Sequence, residues 1–311
     1  MDKISIIVPC FNEEEALPLF YRRTAEVAGR IEGTETEFIF VDDGSSDHTL
    51  EILETLARQD KRVKYLSFSR NFGKEAAMYA GLSHASGDYC AILDADLQDP
   101  PELLGPMYHT VTQEGYDCCG ARRTDRKGEG GLRSTLSSGF YKMMGKICKL
   151  NLSDGERDFR MMSRKMADAV LEVKEYNRYL KGIFSFVGFD TKWIEFPNAE
   201  RAAGTSKWNI RSLFSYAMEG VFSFSSAPAS LATAGSVLSF CAAAAVAAGS
   251  ILYRITAGSW GSSLLPVILL ILVLNGIQMM VLGILGQYLS RDYLESKNRP
   301  LYIIRSQAGF E

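Results

Sequence analysis

Along the first 124 residues, short apolar runs alternate with segments whose apolar positions recur every three to four residues. Residues 4–8 (ISIIV), 38–41 (FIFV), 63–68 (VKYLSF), 89–93 (YCAIL) and 116–120 (YDCCG) read as strands. Residues 14–31, 47–59, 74–85 and 101–113 read as helices, the last opening on Pro101 near its first turn. The strand runs are mostly apolar and do not alternate strictly, as expected of strands covered on both faces. The pattern therefore predicts an α/β domain with a mostly parallel sheet and helices on both faces. Past residue 227 the pattern changes. Residues 228–253 and 264–289 are continuous apolar stretches joined by the polar linker RITAGSWGSS. At about 1.5 Å per residue each exceeds a hydrocarbon core of roughly 30 Å, which predicts a C-terminal two-helix transmembrane hairpin.

Charge sharpens the division. The chain holds 34 Lys and Arg against 37 Asp and Glu, yet Arg254 is the only one of these within residues 220–290. This excludes both a uniformly soluble protein and a many-span transporter. The expected organisation is a catalytic domain over residues 1–206, a juxtamembrane amphipathic helix over 207–226, the hairpin over 227–290 and a tail over 291–311. Four Lys and Arg in that tail against one in the linker put tail and domain on the cytoplasmic side of the plasma (inner) membrane, with Arg254 at the far-side turn. Trp208, Leu213, Phe214, Ala217, Val221 and Phe224 recur at helical spacing, which suits a helix lying in the membrane interface or one packed on the domain. Gly235, Gly249, Gly276, Gly283 and Gly286 permit close helix packing and self-association into a homo-oligomer. A net charge of -3 argues against nucleic-acid binding. Six cysteines without a CxxC pair argue against a disulfide or zinc framework and for a reducing compartment, and no signal peptide is expected before the first strand.

Ligands of parallel sheets bind at the carboxyl ends of the strands. Those ends here are Pro9-Cys10-Phe11-Asn12-Glu13, Asp42-Asp43-Gly44-Ser45, Ser69 to Lys74, Asp94-Ala95-Asp96-Leu97-Gln98-Asp99, and Arg122, Arg123 and Arg126. Acids beside bases at one edge suit a phosphorylated ligand with a divalent metal. Neither GxGxxG nor GxxxxGK[ST] occurs, which argues against a dinucleotide-binding or P-loop domain. On an extended chain Asp94, Asp96 and Gln98 share a face, where hard oxygen ligands would hold Mg2+ or Mn2+ against a diphosphate.

These segments carry a resemblance. IIVPCFNEEEAL (6–17), FVDDGSSDHT (40–49), SRNFGKEAAMYAGLSHASGDY (69–89), LDADLQDPPELL (93–104), RDFRMMSR (157–164), NRYLKGIFSFVGF (177–189) and RAAGTSKW (201–208) together resemble family 2 glycosyltransferases of the GT-A fold. With GILGQYLSRDYLESKNRPLYII (283–304), the likeness extends to the polyprenyl-phosphate branch of that family, that of bactoprenol glucosyltransferase and dolichol-phosphate mannose synthase.

The resemblance implies that Pro9, Asn12 and Glu13 line a nucleotide pocket and that Asp42 and Asp43 face base and ribose. Lys74, Ala95 and Arg122 join the nucleotide-sugar contacts. It implies that Asp94 and Asp96 form the D-x-D pair, with Asp96 and Gln98 as metal ligands. Asp158 falls at the acceptor-side catalytic position, and Arg126, Arg201 and Lys207 fall among residues meeting diphosphate or lipid phosphate. Arg157 departs from the pattern, standing where a small residue is expected. The Gln-x-x-Arg-Trp motif of processive members is absent, which argues against a polymer synthase.

The implied reaction is inverting transfer of a sugar from a nucleotide-sugar to polyprenyl phosphate for cell-envelope glycan modification. UDP-glucose or UDP-N-acetylglucosamine leads the donors. An acceptor phosphate ionises near pH 6 and scarcely needs a general base, so Asp158 is read as positioning the acceptor or steadying the sugar cation, with base catalysis open. A hydroxyl acceptor on a lipid or glycan, which makes a base mandatory, and a non-catalytic membrane scaffold are the alternatives. Residues 123–131 read as a solvated loop or a mobile lid, with 198–206 able to close from the other side.

Overall fold

The computed structural model describes residues 1–124, 155–176, 178–197, 225, 227–257 and 265–310. They fall into two units, residues 1–217 with 300–311 and residues 218–299.

The first unit is an eight-stranded mixed sheet flanked by helices. In chain order it runs β1 (Asp2–Cys10), α1 (Leu17–Ala28), β2 (Thr34–Asp42), α2 (Thr49–Gln59), β3 (Val63–Phe68), α3 (Lys74–His84), β4 (Tyr89–Ile92), a 3-10 turn (Pro101–Leu103), α4 (Leu104–Gln113) and β5 (Cys118–Arg123). It continues with β6 (Glu156–Ser163), α5 (Arg164–Glu172), α6 (Leu180–Phe186) and β7 (Thr191–Phe196). The strand order is β7-β5-β6-β4-β1-β2-β3-β8, where β8 is Ile304–Ala308.

β1 pairs in parallel with β2 and β4, and β2 with β3. Ile4, Ile6, Ile7 and Val8 are all buried, as a strand with both faces covered requires. Three strands go beyond the sequence pattern. β6 runs antiparallel between β4 and β5, β7 lies parallel to β5, and β8 runs antiparallel to β3 at the far edge. β8 belongs to the stretch expected as a tail. It is held by the Ser69 N–H donating to the Ile303 carbonyl at 2.9 Å and by the Tyr302 ring stacked 5.0 Å from Phe68.

The chain order reverses between β1 and β4, since β2 and β3 lie to one side of β1 and β4 to the other. The crevice at the carboxyl ends of β1 and β4 is thus the switch point where such sheets take their ligands. β6 is antiparallel to β4, so its beginning lies at the same edge. Helix α3 packs tightly on β1 through small residues. A Cβ on Gly81 would sit 2.2 Å from Ile7 Cγ2, so Gly81 lets the helix lie close and brings Lys74, its first residue, to that edge.

At the opposite edge, Glu37 is 2% exposed. It accepts from Ser5 Oγ at 2.5 Å and Ser86 N at 2.8 Å and pairs with Lys3 at 3.0 Å and Lys64 at 2.9 Å. Burial alone would raise its pKa, but these donors together pull it down to about 2. A depressed folded pKa stabilises the fold above the unfolded value near 4.5, and the contribution is lost as pH falls towards 2. The contribution is about 3 kcal/mol. Glu37→Gln should therefore lower the urea midpoint of the detergent-solubilised chain at pH 7 and flatten its decline below pH 4.5. A midpoint that falls as steeply with acid as in the native chain would remove Glu37 as its cause.

The second unit holds α7 (Ala227–Ala257) and α8 (Leu265–Ser296). Within them Pro228–Thr256 and Val273–Ser296, with mean hydropathy 1.9 and 1.3, are long and apolar enough to cross a membrane. The helices run antiparallel. Tyr288 Oη donates to the Ser225 carbonyl at 2.8 Å, and a Cβ on Gly235 would meet Met280 Cε at 3.7 Å. Leu238, Phe240, Ile255, Leu282 and Leu289 stand exposed, a large apolar surface of the kind that marks a protein or membrane contact. The juxtamembrane stretch 207–224 and the loops at 125–131 and 198–206 lie outside the described residues.

Candidate active site

Two loops meet beyond β1 and β2. The Asn12 N–H donates to Ser45 Oγ at 2.9 Å, Asn12 Oδ1 accepts from Ser46 N at 2.8 Å, and the Glu13 N–H donates to Thr49 Oγ1 at 2.8 Å. Asn12 has φ 53, a left-handed conformation that Asn tolerates better than most residues. Pro9, one residue before the end of β1, pairs with Val41 in the β1–β2 register. Asp42, 1% exposed, accepts from Ser67 Oγ at 2.8 Å and Ser45 N at 3.0 Å, so its carboxylate braces the strand ends.

Asp43 accepts from the backbone N–H groups of Phe72 at 2.6 Å and Gly73 at 2.9 Å and so fixes the entry to α3. Burial raises its pKa to about 6 against those two donors. Gly44 at φ +69 makes room for the same loop, since a Cβ there would lie 2.5 Å from the Arg70 carbonyl carbon.

The centre of the crevice is a charge cluster on Lys74. Ile92 pairs with Arg160 across β4 and β6, so continuing the register sets Asp94 opposite Asp158. Two facing carboxylates repel, and Lys74 Nζ lies between them, 2.7 Å from Asp94 Oδ1 and 2.5 Å from Asp158 Oδ2. Lys181 Nζ adds a second cation 3.8 Å from Asp158 Oδ1. Burial alone would raise the Asp158 pKa, but Lys74 and then Lys181 overcome it and hold the carboxyl well below the usual range. Burial alone would lower Lys74, but Asp158 and Asp94 hold the ammonium well above its usual range. Both groups are therefore charged at neutral pH.

The Asp94–Asp99 segment turns sharply, with Leu97 at φ 56, Ala95 buried, and Asp96 Oδ1 accepting from Gln98 N at 3.1 Å. Gln98, expected as an oxygen ligand for the metal, is placed otherwise. Its Oε1 accepts from Arg123 Nη2 at 3.2 Å and Arg157 Nη2 at 3.4 Å, and two guanidinium groups at that oxygen oppose a cation there. Arg157 also donates from Nε to Asp99 Oδ1 at 2.7 Å, where the Asp99 side chain is 0% exposed. The arginine standing in place of a small residue thus neutralises a buried acid. Arg122 pairs with Glu195 on β7. Arg126, Arg201 and Lys207 lie outside the described residues.

Lys181, Arg157 and Asp99 had no role in the sequence reading. Alternation along 156–163, had it been read as a strand, would have separated Arg157 from Asp158 onto opposite faces.

An acidic and basic crevice thus lies at the switch point of a mixed α/β sheet, where such sheets take their ligands, and its charges suit a phosphorylated one. Residues 5–171 match the sequence model of Glycosyl transferase family 2, and the chain belongs to that family of glycosyltransferases. It is 41% identical over 303 residues to a prophage bactoprenol glucosyl transferase homolog of Escherichia coli (strain K12), covering 97% of this chain and 98% of the relative. It is 40% identical over 305 residues to the bactoprenol glucosyl transferase of Shigella phage SfV, covering 98% of this chain and 99% of the relative. A distant likeness, 19% identical with TM-score 0.47 over 71% of this chain and 78% of the other, is to a crystal structure of glucosyl-3-phosphoglycerate synthase from Mycobacterium tuberculosis.

Proposed function

We propose that this glycosyltransferase moves a sugar, with inversion, from UDP-glucose or UDP-N-acetylglucosamine to polyprenyl phosphate at the cytoplasmic face of the plasma membrane. The observation that carries the reading is the pairing of Asp158 with two cations, Lys74 Nζ at 2.5 Å and Lys181 Nζ at 3.8 Å. A carboxylate held below its usual pKa by Lys74 and Lys181 is a poor proton acceptor. A carboxylate so paired suits an acceptor that arrives already ionised, and a phosphate monoester with a second pKa near 6 does so. A hydroxyl acceptor would need the base that Asp158 is least fitted to be. The bactoprenol names of the two relatives and the two apolar helices support a lipid-borne acceptor.

In this reading an acceptor phosphate oxygen attacks the anomeric carbon, the carbon–oxygen bond to the diphosphate breaks, and UDP leaves with the bonding electrons. Asp158 orients the acceptor or steadies positive charge on the sugar, and Lys74 bridges Asp94 and Asp158. Pro9, Asn12, Glu13 and Asp43 line the base and ribose end. Asp96 at the crevice fits as the protein ligand of a Mg2+ or Mn2+ that keeps several waters and takes diphosphate oxygens. Among the described residues no group of three or more His, Cys, Asp or Glu is placed to hold a metal ion. When bound, the ion supplies charge neutralisation at the departing diphosphate. The helices anchor the domain as a two-span hairpin, and their small residues permit a homo-oligomer.

Purified protein given radiolabelled nucleotide-sugars and undecaprenyl phosphate should place label in the organic phase. Its rate should decline below about pH 6 with the acceptor's own ionisation. No lipid-borne label with any donor would overturn the reading, and label on a lipid hydroxyl would replace it.

A further inference from the structure

The face of β6 that carries Asp158 continues into a cavity of about 300 Å3 lined by Arg160, Lys181, Phe184, Phe189, Trp193 and Glu156, among others. Side chains alternate along a strand, so Asp158 and Arg160 share this face roughly 7 Å apart. Arg160 is 2% exposed. Its guanidinium carbon lies 3.8 Å from the centre of the Phe184 ring and 5.8 Å from that of Trp193. Gly120, beside both in the register, has no side chain, and a Cβ there would be 2.4 Å from Trp193.

The aromatic rings cover the guanidinium but accept little from its edge. Nη2 donates to the Arg157 carbonyl at 3.2 Å, while the buried Nε has no acceptor among the described residues. Among the described residues no carboxylate pairs with Arg160. A buried cation with an unspent donor is costly unless something completes it. Lys181 stands on the same lining. Its Nζ is 3.8 Å from Asp158 Oδ1 and donates to the Glu156 carbonyl at 3.0 Å. Of the cavity's acids, Asp190 stands exposed to solvent and Glu156 is 7% exposed.

We propose that this cavity is an oxyanion subsite on the acceptor side of the active site. Arg160 and Lys181 hold the phosphate monoester of an apolar alcohol there, with Phe184 and Phe189 against its first carbons and Asp158 beside the phosphate. The proposal rests on the reading of the acceptor as a phosphate and names the residues that hold it. A phosphate in this place spends the Arg160 Nε donor and sets an acceptor oxygen on the Asp158 face.

The test uses the full chain in nanodiscs and calorimetric titration with geranyl phosphate, geraniol and inorganic phosphate, with UDP and Mn2+ as a separate titration. Geranyl phosphate should bind the native chain, and geraniol should not. Arg160→Lys, which keeps the charge and loses the Nε edge, and Lys181→Met should each weaken geranyl phosphate about tenfold or more. UDP binding should stay within about twofold, since neither residue faces the nucleotide end. Lys181→Met decides the matter if Arg160 variants fail to fold.

Geranyl phosphate affinity unchanged in both folded variants would overturn the subsite. So would geraniol binding as tightly as its phosphate. Inorganic phosphate binding as tightly as geranyl phosphate would make free phosphate the ligand and overturn the acceptor role. Binding that is lost in the variants while no donor yields lipid-borne label leaves the subsite standing and sinks the proposed reaction instead.

Discussion

Lys74→Met is expected to lower sugar transfer by about 10²–10³-fold and to destabilise the first unit by about 2–3 kcal/mol. The stability figure lies below that of a fully buried pair because the Lys74, Asp94 and Asp158 side chains are 36%, 22% and 21% exposed. Methionine keeps the length of the side chain and removes the ammonium between two carboxylates that the β4–β6 register sets face to face. One of them must then take a proton or turn away, and either change unmakes the geometry at the start of β6. The loss should appear in kcat more than in the donor KM, because Lys74 orders the reacting edge rather than the base pocket.

The pH dependence of that loss has a definite sign. The folded pKa of Asp158 is depressed, so its contribution is present above the ordinary carboxylate range and is lost as pH falls below it. The folded pKa of Lys74 is raised, so its contribution is complete below the ordinary lysine range and fades above it. The stability gap between the native chain and Lys74→Met should therefore be widest near neutrality and close as pH drops below about 4. A variant with native kcat, or a gap that widens in acid, would remove Lys74 from the centre of the site.

The inner sheet was legible because β1 to β4 each hold a mostly apolar run without strict alternation, a pattern that a two-sided parallel sheet favours. β6 was not, because its residues serve two masters. Glu156, Arg157, Asp158 and Arg160 break the apolar run, and a strand that carries site chemistry loses the signature of a strand. β8 (IRSQA) alternates at an exposed edge and spans only 5 residues, so nothing in it separates a strand from a tail. The D-x-D segment and Asp158 could be found as motifs. Their union through Lys74 could not, since Lys74 and Asp158 are 84 residues apart and meet only because α3 lies flat on β1 through Gly81. Gln98 shows the converse. Extended spacing put its oxygen with Asp94 and Asp96, but the chain turns at Leu97 and two arginines from β5 and β6 claim that oxygen.

That difference gives the second large effect a built-in control. Asp96→Asn should lower transfer by about 10²–10³-fold at fixed Mn2+ and move the half-saturating Mn2+ concentration upward by about tenfold or more. In the proposed reading the carboxylate is the hard anionic donor to the metal, and an amide keeps its shape without its charge. Chelation of the native enzyme should abolish transfer, with recovery on adding Mg2+ or Mn2+. Gln98→Ala should leave the metal half-point within about threefold, because its amide oxygen is already engaged by Arg123 and Arg157. It should instead lower stability by about 1–2 kcal/mol, the cost of two guanidinium donors losing a partly buried acceptor. A tenfold shift of the metal half-point in Gln98→Ala would return that residue to the metal and show that the arginines release it when donor binds. An unchanged half-point in Asp96→Asn would remove Asp96 from the metal altogether and leave Asp94 as the only carboxylate of the pair able to reach it, in competition with Lys74.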